Sequence, residues 1–227
     1  MIVLALLVGC DGGGEAAPAQ VIAAATEETT FATATGLGSF HLKASVKRTE
    51  SAASGAPQSS QETLEIRWQD TDHWSYTLGR DGRVHTEVVV WDSVAWARNG
   101  NVALARKPDA EPYRVQLATV WDPWQWGLES LAAHVVYDAG ELELVEGRRV
   151  HHHRLALAPP PPKPRRGWSP SAVAGDVWID EATALRLKGR VVVDAGADGR
   201  TRQVELLFSI ADIGLNPGVS PPAGDKP

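Results

Sequence analysis

"GSFHLKASVKR" occupies residues 38 to 48. Phe40, Leu42, Ala44 and Val46 share one parity; His41, Lys43, Ser45 and Lys47 share the other. Successive side chains on a strand point to opposite faces, so this stretch reads as a ribbon with one dry and one wet face. On a helix the same four apolar residues would scatter around the circumference. Alternation of this kind belongs to antiparallel sheets, where one face meets a core and the other meets water.

The pattern repeats outward from there. Leu64, Ile66 and Trp68 alternate with Glu65, Arg67 and Gln69, and Trp74, Tyr76 and Leu78 alternate with His73, Ser75 and Thr77. Near the carboxyl end, Val204, Leu206, Phe208 and Ile210 form another dry row. Asp81-Gly82, Asn99-Gly100 and Asp198-Gly199 sit between alternating runs and suit tight hairpins. Glu146-Gly147 and Asp180 to Thr183 look like two more reversals. The whole reads as roughly eleven strands in up-and-down order, with no βαβ alternation.

Two segments depart from this period. Gln20 to Thr33 is alanine-rich and reads as a short amino-terminal helix. "WDPWQWGLESLAAHVVYDAG", residues 121 to 140, reads as a second, with Asp122 as its cap and Pro123 in the first turn. Trp124, Leu128, Leu131 and Val135 then share one helical face. Residues 158 to 170, "APPPPKPRRGWSP", form an extended proline-rich loop, and residues 217 to 227 a loose tail.

A long twisted ribbon with one oily face curls, and that face has to be covered. The expected fold is mainly β with short helices (α+β): a curved, antiparallel, unclosed β-barrel with a helical lid, built as one domain over residues 20 to 216. So little helix over so wide a face leaves room for an apolar ligand. Trp68, Trp74, Tyr76, Trp96, Trp124, Leu128, Leu131 and Phe208 are expected to line that space, whether as ligand wall or as simple core. Trp91 and Trp178 fall on the opposite parity, among polar neighbours.

Composition narrows the function. The net charge is −6 with both signs dispersed, so no basic stripe favours nucleic acid. The one cysteine, Cys10, rules out a disulfide framework or a cysteine-based metal site. It stands in "LLVGCDGGG", residues 6 to 14, after a run too short to span a bilayer. Leu7-Val8-Gly9-Cys10 resembles the lipobox of bacterial lipoproteins. That resemblance implies a signal peptide over residues 1 to 9 and diacylglyceryl transfer to Cys10. Residues 10 to 19 would then be a lipidated, flexible tether. It places the protein in the bacterial cell envelope, anchored to a membrane facing the periplasm, with inner and outer membrane both open.

The larger pattern also resembles a family. An amino-terminal helix comes first, then a meander centred on "VVVWDSVAWARNGN" and a helix begun by "WDPW". "GDVWIDEATALRLKGRVVV" and "VELLFSIADIGLNPGVSPP" follow. In order and pattern this is similar to the lipoprotein-carrier superfamily of LolA, LolB, LppX and LprG. The resemblance implies an unclosed barrel with a helical lid that binds acyl chains of lipids or lipoproteins.

Chemistry-bearing clusters are few. His151 and His153 share a strand face, and Glu141 or Glu143 would join them only if register allowed; a wet polar face is the plainer reading. His73 and His85 flank a hairpin, where surface pairing is the plainer reading too. Asp70, Asp72, Asp176 and Asp180 sit at strand ends, where turn-forming aspartates are ordinary. No nucleophile elbow, zinc-protease helix or phosphate loop appears in the sequence. Lys163, Arg165, Arg166 and Trp168 suit an anionic membrane surface, though a solvated linker is the plainer reading. The expectation is a non-enzymatic lipoprotein without cofactor or metal that carries an apolar ligand. The alternative is a scaffold of the same fold with a filled core and an envelope protein as partner.

Overall fold

The computed structural model describes residues 31–52, 55–158 and 168–222. The signal, Cys10 and its tether lie outside these residues, as do most of the expected amino-terminal helix and the basic residues Lys163, Arg165 and Arg166. A helix over Phe31–Thr35, running two residues past the expected end, is described and is called α1.

The strands are β1 (Phe40–Ser51), β2 (Gln58–Trp68), β3 (Trp74–Arg80), β4 (Arg83–Trp91), β5 (Val94–Asn99) and β6 (Ala105–Lys107), then β7 (Val135–Tyr137), β8 (Glu141–Val145), β9 (Arg148–Leu157), β10 (Ser169–Asp180), β11 (Arg186–Ala197) and β12 (Arg200–Ala211). They form one 12-stranded sheet in the order β6-β5-β4-β3-β2-β1-β12-β11-β10-β9-β7, with β8 also paired to β9. Every pairing is antiparallel. The first half of the chain meanders to one edge and the second half to the other, and β1 and β12 join them in the middle. The two end strands of that order are unpaired with each other, so the barrel is open, as the alternation predicts.

Turn chemistry sets the registers. Asp81-Gly82, Glu146-Gly147 and Asp198-Gly199 all take positive φ at both residues, which matches the twist of the flanking strands. Asp92-Ser93 does the same without a glycine (φ 49° and 62°).

The core lies on the concave face. Phe40, Leu42 and Val46 of β1 are fully buried, as are Ile66 on β2 and Leu206 on β12. Toward one end the same parity becomes charged: Arg48 meets Glu62 at 2.7 Å, and Arg202 pairs with Glu50. The apolar face thus ends in a polar rim.

The helical cover differs from the expected single helix. It comprises α2 (Glu111–Val120), α3 (Pro123–Leu128) and a 3₁₀ turn (Glu129–His134). Because β6 and β7 lie at opposite edges, the chain between them has to cross the whole concave face, and it does so as a strap. Asp122 caps α3 as expected, accepting from the Trp124 amide at 3.0 Å. The helix stops early, where the backbone turns at Glu129 (φ 54°), and Arg48 caps its last carbonyls: Nη2 donates to Gly127 O at 3.2 Å and to Trp126 O at 3.5 Å. Trp124, Leu128, Leu131 and Val135 are nevertheless all buried.

Candidate functional site

The strap and the sheet beneath it form the candidate site. On the β2–β3 side the rings run in a row. Trp68 stacks on Trp74 at 6.4 Å and Trp74 on Tyr76 at 6.3 Å, with interplanar angles of 19° and 6°. Phe31 closes the row, edge-on to Trp68 at 5.1 Å and 6.2 Å from Trp121 of the strap. The Tyr76 hydroxyl donates to Gln116 Oε1 at 2.7 Å, tying α2 to the sheet. Burial pushes that phenol far above its ordinary value. Leu117 is the one residue of α2 that is buried.

On the β7–β11 side the site is more polar. Trp124 stacks on Tyr137 at 5.8 Å, and the Arg186 guanidinium lies 4.7 Å from the Trp124 ring centroid. Arg186 Nε donates to the Tyr137 hydroxyl at 3.2 Å, and Nη1 stands 3.8 Å from Asp122 Oδ2. Burial raises the Asp122 carboxyl despite Arg186 and two amide hydrogen bonds. The two ends of α3 are therefore held differently: at the start by Arg186 through Asp122 and Trp124, at the end by Arg48.

His153 lies under this cluster, 1% exposed and 5.7 Å edge-on from Tyr137. Its Nδ1 faces the Asp138 carbonyl at 3.0 Å, which makes Nδ1 the protonated nitrogen. Nε2 meets no hydrogen-bond partner among the described residues. His151 shares its face, with ring centroids 6.1 Å apart. The described residues include no group of three or more His, Cys, Asp or Glu that could hold a metal ion.

The structure brings most of the expected lining residues together. Trp68, Trp74 and Tyr76 form the ring row, Trp124, Leu128 and Leu131 come from the strap, and Phe208 sits at the sheet centre. Phe208 fits because Gly189 opposite it lacks a side chain; a Cβ there would come within 2.7 Å of the ring. Trp96 is placed otherwise. Ala95 and Ala97 pair with Val90 and Val88 and belong to the core, so Trp96 points outward beside Val89. The two-residue turn at Asp92-Ser93 puts Trp91, Val94 and Trp96 on one face, a parity the sequence already contained. Trp91 and Trp178 are half-buried on that outer face.

His73 does not meet His85: its ring lies between the carboxylates of Asp70 and Asp92. Trp168 stands beside Arg202 at 4.4 Å and Arg200 at 5.3 Å, and its basic companions in sequence lie outside the described residues. The tail is not loose throughout, since Val219 is buried against the outer face and Arg67 Nη1 donates to Gly218 O at 3.5 Å. With Glu65, Ser75, Thr77 and Glu87 this tail lines an open pocket of ≈ 490 Å³ on the convex side.

Sequence reading missed α2. Its signals were Glu111 and Pro112 in the first turn, then Tyr113, Leu117 and Val120 at helical spacing.

No protein-family model and no curated protein matches the chain. Among solved structures it is similar to a LolA superfamily protein of Nitrosomonas europaea, at 10% identity and TM-score 0.26, over 86% of this chain and 94% of that one. It is similar to the Mycobacterium tuberculosis lipoprotein LppX at 13% identity and TM-score 0.30, over 86% and 95%. For MucB the values are 16% and 0.33, and the match takes in 93% of this chain but 62% of that one.

Proposed function

We propose that this protein is a lipid-anchored, non-enzymatic envelope protein that takes an apolar chain, such as the acyl group of a lipid or lipoprotein, between its strap and its concave sheet. The observation that carries this reading is the light seating of α2, which fully buries only Leu117, with Tyr113 and Val120 half-buried beside it, while lying over a face of aromatic and branched residues. Trp74 and Tyr76 are each 1% exposed, so the described form is closed. Uptake then requires the strap to lift. The driving force is burial, at about 0.8 kcal/mol per methylene removed from water. Cys10 carries the anchor, and Trp168 with Lys163, Arg165 and Arg166 forms a membrane-facing patch in this reading.

The test is lipid extraction and mass spectrometry on the purified full chain, followed by titration with a brominated fatty acid, which quenches nearby tryptophan. Co-purifying lipid and saturable quenching are expected. If no lipid is carried and fluorescence is unchanged, the concave face is a filled core. The protein is then a scaffold that meets its partner through its outer surface.

A further inference from the structure

Two histidines are built into the outer face in the same unusual way, each with a carboxylate on both ring nitrogens. His152 Nδ1 stands 2.8 Å from Glu143 Oε1, and its Nε2 stands 2.9 Å from Asp176 Oδ1. His73 Nδ1 stands 2.8 Å from Asp70 Oδ1, and its Nε2 stands 3.0 Å from Asp92 Oδ1. A neutral imidazole has one N–H and one bare lone pair, so it can satisfy one carboxylate and repels the second. Only the imidazolium fits both. His41 repeats the arrangement more loosely, with Glu65 at 2.8 Å and Asp212 at 3.6 Å.

Each ring joins elements that neighbour it in the sheet or at its end. Through His152, the side strand β8 (Glu143) is tied to β10 (Asp176) across β9. Through His73, the β2–β3 loop is tied to the β4–β5 turn. We propose that these imidazolium bridges form a proton-dependent latch, which holds β8 and the β3–β5 end of the sheet firmly at mildly acidic pH and loosens them as the rings lose their protons.

The surroundings of both rings agree with this. His152 stacks on Trp178 of β10 at 4.3 Å, and Lys188 of β11 lies 4.2 Å from the Trp178 centroid. β8 also places Glu141 directly across from His152, and Arg154 follows on the same face of β9. Asp176 has Arg154 and Arg190 as its cross-strand neighbours. Around His73, Asp70 and Asp72 come from its own loop, while Asp92 and Trp91 come from the facing turn, with the Trp91 ring at 4.6 Å.

Partial burial lowers both imidazoles, but the hydrogen bonds and charges of Asp176 and Glu143, and of Asp92 and Asp70, outweigh it and raise them above the ordinary value. A raised histidine stabilises the fold fully below its unfolded pKa of about 6.5, and that contribution fades as pH climbs through the folded value. At the acid end the partners set the limit. Trp178, then His152, hold Glu143 below the usual carboxylate range, and hydrogen bonds hold Asp70 below it against partial burial. The latch is therefore strongest between about pH 4 and about pH 6.5.

The experiment compares the full chain with the His73→Gln/His152→Gln double variant. Thermal unfolding is followed from about pH 6 to about pH 9. The parent midpoint is expected to fall by about 3 °C more than that of the double variant. The other five histidines are common to both proteins, so the difference isolates the two bridges. Equal pH slopes overturn the proposal. Should the double variant fail to fold, ring titrations of the parent by NMR decide: midpoints of His73 and His152 above about 6.5 support the latch, and midpoints at or below it overturn the latch.

Discussion

Asp180 is the residue where sequence and packing meet most directly. It was legible as a turn former, and the structure makes it one: Oδ2 accepts from the Thr183 amide at 3.0 Å and from the Thr183 hydroxyl at 2.6 Å. What the sequence did not reveal is Arg148, thirty-odd positions away, which donates to both carboxylate oxygens at 2.8 and 2.9 Å. Local spacing reports local bonds, and a partner brought in by strand pairing leaves no such trace. Burial pushes the Asp180 carboxyl up, but the bonds from Arg148 and Thr183 and the guanidinium charge hold it below the usual carboxylate range. A depressed carboxyl stabilises the fold above its unfolded pKa of about 3.9, and that contribution is lost as pH falls through the folded value. Asp180→Asn is therefore expected to cost about 2 kcal/mol near neutrality, with the deficit shrinking in acid. Urea unfolding of both proteins at about pH 7 and about pH 3 measures this; a deficit that stays constant would detach it from Asp180 ionisation.

At the scale of elements, the strap is where expectation and structure diverge most. The apolar positions of residues 124 to 135 were legible and all are buried, yet the expected continuous helix is divided. Periodicity measures which side of a helix is dry. It cannot report the turn of the backbone at Glu129, nor a guanidinium arriving from β1 to cap the carbonyls left free there. Arg48 is mostly shielded from water and also reaches Glu62 and Glu129, so it joins strap, sheet and polar rim at one point. Replacing it with methionine preserves much of the stem and removes the donors. Arg48→Met is expected to destabilise the strap by about 2 kcal/mol, as for hydrogen bonds to a charged group. Amide exchange over residues 123 to 134 should then quicken roughly thirty-fold relative to the central strands. Equal protection of the strap in both proteins would mean that apolar contacts alone seat it.

Over the whole molecule, the architecture was open to reading because alternation, hairpin turns and the lack of βαβ units all pointed the same way. The order of strands was not. Nothing local announces that β1 and β12 lie side by side at the centre, and that pairing is what sends the strap across the concave face from edge to edge. It also explains the layout of the candidate site, in which rings from β2 and β3 and polar groups near β7 and β11 lie under one short crossing segment. Such a site discriminates by length rather than by chemical detail, because most of its wall is apolar. If an acyl chain lies along that wall, each added methylene contributes about 0.8 kcal/mol, so affinity should climb about fourfold per carbon. The climb should stop where the chain outgrows the covered part of the sheet and meets the polar rim at Arg48, Glu62 and Arg202. Titrating the full chain with straight-chain fatty acids of increasing length, below their micelle thresholds, gives the profile. A steep rise ending in a plateau locates the chain between strap and sheet. A flat profile places any bound lipid on the outside and leaves the concave face as structural core.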